Sequence, residues 1–449
     1  MNHNFRNYCC INCTNFCNVI SLFDAIAFVC FIAFIKVVPF ILLILASNMK
    51  DVDILFRLCK AIFWIRGGNY WYDEEAIGDA SNAFYRILSF AIYFCYFGMT
   101  FLELLAAGIG NVSIDERCHA LSHGVSHAGY VLKFISITIN RKAIQKLLRD
   151  LILVCDSLED DETGMKKYKQ IKFAMGLYCS CIFGALVSFI IQGIMYELAG
   201  GNFFIIISYF GTPGDESLRA AIFRIGTSIT IVALLITVVI TIDGLIITVM
   251  MIFKYKFIIL KKYFGKLNED VTRRVSQKNC DIELAANELC DSVKQGIVMH
   301  ISLLRMAQDL DTIFGSIMTI QLFNSSFPAV FLLLQMAVYN VDFLTSVKIL
   351  AFIATVFLLL GIYICTFGDI TYEALSLSEA IFNCGWHLCP AATSAHRKIR
   401  AMVIMGCSQG QIPITMKAFN MVELTHATYV EVIKSTYSVY ALLQARNQR

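Results

Sequence analysis

Three imidazoles, His119, His123 and His127, recur every fourth residue inside an apolar stretch, so on a helix they share one face. That spacing invites a metal site, but imidazoles on successive turns of one helix do not converge on one ion. Beyond Cys118 no carboxylate or thiolate is placed convincingly to complete such a site. Contacts lining a polar cavity are the use this pattern supports. Asp243 and Glu103 also fall inside apolar stretches, where acidic residues serve more often as helix-to-helix partners than as catalysts. Near the C-terminus Thr428, Glu431, Ser435 and Ser438 follow at spacings of three, four and three, which makes a polar stripe on a helix. A stripe of this kind on a membrane helix faces protein or water, not lipid. No phosphate-cradling glycine loop, HExxH or GxSxG occurs, so the chain is read as a non-enzyme without a cofactor or metal. Nothing points to nucleic acid.

The elements that carry these residues are membrane helices. Hydrophobic residues make up 57% of 449 and charged residues 16%, with a mean hydropathy of +0.65; soluble domains are about 25% charged. Apolar segments run over 84–107, 118–139, 173–196, 227–253, 313–339 and 347–367, each long enough to cross ~30 Å of hydrocarbon. With Gln411–Gln444 they make seven, an all-α polytopic bundle. The 17 cysteines are scattered, apart from Cys9, Cys10, Cys13 and Cys17, and read as packing residues.

Loop charge orients the bundle. Lys and Arg crowd the loops 140–172, 254–312 and 368–410, while 108–117, 197–222 and 340–346 are nearly free of them. Positive loops stay in the cytoplasm, so the core's N-terminus is inside and its C-terminus outside, opposite to a G-protein-coupled receptor. Asn111-Val112-Ser113, a glycosylation sequon, falls in an outer loop. Apolar residues at helical spacing continue through Phe257, Leu260, Phe264 and Leu267, and through Leu289, Val293, Ile297 and Leu304. Two membrane helices therefore extend into a cytoplasmic anchor domain. The expected organisation is an N-terminal extension (1–48), an interfacial segment (49–83), helices one to four (84–253), the anchor (254–312), helices five and six (313–367), a second anchor stretch (368–410), and the last helix with a short tail (411–449).

The C-terminal third resembles the insect odorant receptor family. The residues that carry the likeness are His300-Ile301-Ser302-Leu303-Leu304, Phe367-Gly368-Asp369 with Ser378-Glu379-Ala380-Ile381 and Trp386, Pro413-Ile414-Thr415 with Phe419, and Ser435-Thr436-Tyr437-Ser438-Val439-Tyr440-Ala441-Leu442-Leu443. The resemblance implies an odorant-gated cation channel in the plasma membrane of sensory-neuron dendrites. A ligand-specific subunit would join a common co-receptor subunit in a tetramer around one pore, embedded in membrane lipid. A small volatile ligand would then meet His123, Ser126, His127, Tyr130, Phe189, Gln192, Tyr196, Thr227 and Ile231. The stripe Thr428, Glu431, Ser435 and Ser438 would line the pore below a gate at Val439, Tyr440, Leu443 and Gln444. Gustatory receptors, a sister family, end with Thr-Tyr, five apolar residues and Gln; six residues separate Tyr437 from Gln444 here. A gustatory-type channel that assembles alone is the alternative. Family members begin near Met49, so residues 1–48 are extra: either 20–46 spans the membrane or the natural start is Met49.

Overall fold

The computed structural model describes residues 50–110, 114–198, 218–276, 282–338, 343–391, 393–418 and 422–447. The sequon at Asn111 and the segment 20–46 lie outside them. The described helices are α1 (Asp51–Trp64), α2 (Glu74–Ile77), α3 (Ala83–Ile109), α4 (Ile114–Ile139), α5 (Arg141–Leu153), α6 (Asp161–Leu198), α7 (Leu218–Val275), α8 (Ile282–Val338), α9 (Phe343–Phe382), α10 (Ser394–Gly410) and α11 (His426–Asn447). A two-residue ribbon, β1 (Lys417–Ala418) against β2 (Val422–Glu423), is antiparallel and joins α10 to α11.

Among the described residues α3, α6, α7, α8 and α9 are long and apolar enough to cross a membrane. The other two members of the expected seven, α4 and α11, carry the histidines and the C-terminal polar stripe. Their polar faces lower their hydropathy, and both are packed against α8. At 1.5 Å per residue the 58 residues of α7 run about 87 Å, nearly three times the hydrocarbon thickness. The anchor helices expected beyond Phe253 and before Ile313 are thus unbroken extensions of α7 and α8. So is the lower half of α9, which passes Phe367 without interruption and ends at Phe382. Residues 368–382 are therefore helical and continuous with the apolar run 347–367.

The last apolar segment differs from expectation. Gln411–Gln444 is not one helix: the chain leaves α10, turns, forms the ribbon, and becomes helical only at His426. Pro413 has no N–H to give a helix and disfavours helical backbone at Ile412 before it.

The basic end is held by ion pairs. Lys167 meets Asp51 and Glu159, each at 2.6 Å, Lys256 approaches Asp51 at 3.6 Å, and Lys254 meets Asp369 at 3.2 Å. Lys261 pairs with Glu373. These bonds join α1, α6, α7 and α9. α1 seats Ile54, Leu55, Leu58 and Ile62, spaced for one face, in the core beside α7.

Candidate functional site

Four helices enclose a cavity of about 130 Å3. α4 contributes His123, Ser126, His127 and Tyr130 at spacings of three, one and three, hence one face. Tyr178, Ile182, Ala185 and Phe189 of α6 recur at four, three and four, and Leu186 joins them. Val232, Leu235, Ile236 and Val239 of α7 and Phe352, Thr355, Val356 and Leu359 of α9 complete the wall. The rings form an aromatic box: His123 stands edge-on to Phe189 at 5.1 Å and to Phe352 at 4.8 Å between centroids. Edge-to-face rings at such distances attract.

Few polar groups interrupt these walls. Ser126 Oγ is buried and has no hydrogen-bond partner among the described residues. His127 is occupied from behind, its Nδ1 being 2.5 Å from Glu103 Oε2 on α3. Below Tyr130 and Tyr178 lies a fully buried ion pair, Lys133 Nζ to Asp243 Oδ1 at 2.8 Å. Tyr178 donates to Asp243 Oδ2 at 2.7 Å and Tyr363 to Asp243 Oδ1 at 2.7 Å. One carboxylate thus gathers α4, α6, α7 and α9 under the cavity. Asp243 and Glu103 are helix-to-helix partners, as their placement in apolar stretches implied. No group of three or more His, Cys, Asp or Glu among the described residues is arranged to hold a metal. A mostly apolar box with a few hydroxyls and two imidazoles can bind a small, mostly apolar molecule and orient it by hydrogen bonds.

Of the sequence candidates, His123, Ser126, His127, Tyr130 and Phe189 come together on this cavity. Gln192 does not line it; its amide donates to Thr345 of α9 at 2.6 Å. It lies nearly one turn beyond Phe189 and is used in helix packing. The side chains of Tyr196, Thr227 and Ile231 lie outside the described residues. Sequence reasoning missed Tyr178, Ile182, Ala185, Leu186 and all of the α7 and α9 walls. The spacing from Tyr178 to Phe189 carried a signal. The α9 residues carried none, because that helix is apolar all round.

The last helix packs one side and leaves the other open. Tyr429, Val432 and Thr436 are turned inward, and Tyr429 donates to Phe357 O of α9 at 3.2 Å. A Cβ at Gly361 would stand 3.0 Å from the Tyr429 ring, so this glycine sets how closely α11 approaches α9. Glu431, Ser435 and Ser438 are exposed within the single chain, as are Val439 and Gln444, while Tyr440 is half-buried. The side chain of Leu443 lies outside the described residues. Thr428 departs from the stripe: its hydroxyl donates to Glu423 O at 2.6 Å, which folds it onto the turn before the helix.

A family model described as 7tm Odorant receptor matches residues 113–437. The chain is similar to the solved structure of the insect olfactory receptor OR5 from Machilis hrabei in complex with eugenol, with a TM-score of 0.71 and 13% identity. That match covers 89% of this chain and 100% of the other. A second structure of OR5 from Machilis hrabei matches with a TM-score of 0.68 and 13% identity, over 87% and 98% of the two chains. No curated protein matches this chain.

Proposed function

The chain belongs to the 7tm odorant receptor family, and from that premise we propose that it is the ligand-specific subunit of an odorant-gated cation channel. It assembles with a co-receptor subunit in the plasma membrane of a sensory-neuron dendrite, with its core N-terminus inside and its C-terminus outside. A small volatile molecule occupies the cavity between α4, α6, α7 and α9. The observation that carries this reading is Ser126 Oγ, buried, unpartnered among the described residues and set in a mostly apolar box. A buried hydroxyl without a partner is unfavourable by about 1–3 kcal/mol, and a ligand that hydrogen-bonds to it recovers part of that. At about 130 Å3 the cavity approaches the ~150 Å3 of an engineered apolar cavity that takes benzene, so the ligand class is single-ring or short-chain. The OR5 structure that this chain resembles was solved in complex with eugenol, which supports a small-molecule ligand here.

The open face of α11, with Glu431, Ser435 and Ser438, is the wall this subunit gives to the pore, and Val439–Gln444 forms the gate. Ligand binding drives opening only by its difference in affinity between the closed and open states. The test is whole-cell recording against a panel of small volatiles, with and without the co-receptor. The reading requires odorant-evoked cation current only when both subunits are present. Equal current from this chain alone would make it a self-assembling, gustatory-type channel; no current to any volatile despite surface expression would reject the reading.

A further inference from the structure

A second site lies outside the proposed odorant cavity, at the basic end of α3 and α4. The N-terminal end of α3, the C-terminal end of α4 and the turn after α1 enclose an open groove of about 870 Å3. Arg66, Arg86 and Arg141 line it together with Tyr85, Phe90, Tyr93, Phe97 and Phe134. The three arginines are not equivalent. Arg141 is neutralised, its guanidinium donating to Glu74 Oε1 at 3.2 Å and to Asn69 O at 2.7 Å. Arg66 and Arg86 have no carboxylate partner among the described residues. Arg66 sits with its guanidinium 4.9 Å from the centre of the Tyr85 ring.

This corner is built, not frayed. Arg66 holds a left-handed backbone with φ of 63°, a conformation that a long side chain adopts only when its surroundings enforce it. The enforcement comes from hydroxyls one turn apart on α3. Tyr85 donates to Phe63 O at 3.1 Å, Ser89 to Arg66 O at 2.7 Å and Tyr93 to Ile65 O at 3.1 Å. Gly68 N donates to Tyr85 Oη at 3.0 Å. Four hydrogen bonds therefore hold a strained turn whose result is to present the Arg66 cation to the groove. The outer edge of the groove is apolar and open: Ile87, Phe90 and Ile139 are 69%, 72% and 77% exposed. The same face of α3 continues away from the groove through Phe94 and Phe101, also exposed.

We propose that this groove binds an anionic phospholipid of the inner leaflet, its phosphate against Arg66 and Arg86 and its acyl chains along Ile87, Phe90 and Phe94. Charge selects the headgroup: two guanidiniums without carboxylate partners at the end of a membrane-crossing helix match a phosphate, and arginine binds phosphate in paired hydrogen bonds. The apolar lip selects a lipid over a free anion, because a water-borne phosphate leaves Ile87 and Phe90 unused. The loop charges place this end in the cytoplasm, where anionic lipids concentrate. The site rests on α3 crossing the membrane and not on the odorant reading, so either stands without the other.

The test uses the full chain, purified in detergent, delipidated, and returned to nanodiscs of phosphatidylcholine alone or with one-fifth phosphatidylserine. Thermal unfolding and lipid retained per chain, by mass spectrometry, are read for the wild type, R86Q, R66Q/R86Q and a control, K146Q, whose lysine is exposed beyond the groove. Phosphatidylserine raises the melting temperature and is retained over phosphatidylcholine by the wild type and K146Q. Retention falls at least threefold in R66Q/R86Q. R86Q, an exposed substitution that leaves the strained turn intact, falls by an intermediate amount, which keeps the test open where the double variant does not fold. Equal retention in wild type and R86Q overturns the proposal. So does an absence of preference for phosphatidylserine in the full chain, as when another part of the chain fills the groove. Inorganic phosphate that stabilises phosphatidylcholine nanodiscs as well as phosphatidylserine does would make this a free-anion site and overturn the lipid.

Discussion

Removing the Asp243 carboxylate is the sharpest perturbation the structure offers. Lys133 and Asp243 have fully buried side chains with 2.8 Å between charged atoms. At an effective dielectric constant near 20 their attraction is about 6 kcal/mol before desolvation is subtracted. Asp243→Ala leaves the Lys133 ammonium buried without its counter-ion and takes the acceptor from the Tyr178 and Tyr363 hydroxyls. Breaking a buried pair on one side destabilises by about 3–5 kcal/mol. In a chain of this size that lowers the melting temperature by on the order of 5 °C. The comparison is Lys146→Ala, which removes an ion pair to Asp309 with side chains 67% and 41% exposed; exposed pairs contribute about 0–1 kcal/mol. The assay is thermal unfolding of the detergent-solubilised protein, followed by fluorescence-detected gel filtration. The double variant Lys133→Met/Asp243→Leu replaces the pair by apolar groups and melts closer to wild type than Asp243→Ala does, since such replacement is often near neutral. If Asp243→Ala melts together with Lys146→Ala, or if the double variant is the sum of its singles, the reasoning about the buried pair is wrong.

Ser126→Ala removes one hydrogen bond of about 1 kcal/mol, so the concentration for half-maximal current rises about fivefold for hydroxyl or carbonyl odorants and stays unchanged for hydrocarbons; dose–response recording separates the two. Gly361→Val pushes Tyr429 and with it α11 away from α9, which lowers the maximal odorant-evoked current at unchanged surface expression, read by recording with surface biotinylation. Leu443→Ser, at the proposed gate, is expected to raise ligand-independent current by making a hydrophobic constriction wetter; unchanged basal current counts against that position. Burial pushes the Cys59 thiol well above its usual range and the Cys155 thiol up to about 11. Both therefore resist maleimide at pH 8 in the folded protein and react once it is denatured, as peptide mass mapping reports.

The helical bundle was legible because six long apolar runs and the family likeness gave the same architecture, and hydrophobic length is a direct physical signal. The unbroken run of α7 through Phe257–Leu267 and of α8 through Leu289–Leu304 was legible in the same way, from apolar residues at helical spacing. The start of α11 was not. Gln411–Gln444 has the length of a membrane helix, and Pro413 was the one local sign that the stretch before His426 is not helical. On the cavity, polar residues among apolar ones drew the eye to α4 and Phe189 marked α6, so His123, Ser126, His127, Tyr130 and Phe189 were found together. Gln192 was included on the same logic, yet it is satisfied by Thr345; a polar side chain in a membrane helix signals a partner, and sequence does not say which. Phe352–Leu359 stayed hidden because nothing in an evenly apolar helix marks the face that meets the cavity. The ion pair of Lys133 with Asp243 spans 110 residues of sequence, and its partners are set only by the bundle.

The measurement that bears most directly on this account is a cryo-electron microscopy map of the chain with its co-receptor and an activating odorant, against the same complex without it. The account predicts ligand density between α4, α6, α7 and α9, in contact with Ser126, Tyr130, Phe189 and Phe352. Odorant density elsewhere in the complex, with this cavity the same in both maps, would contradict it.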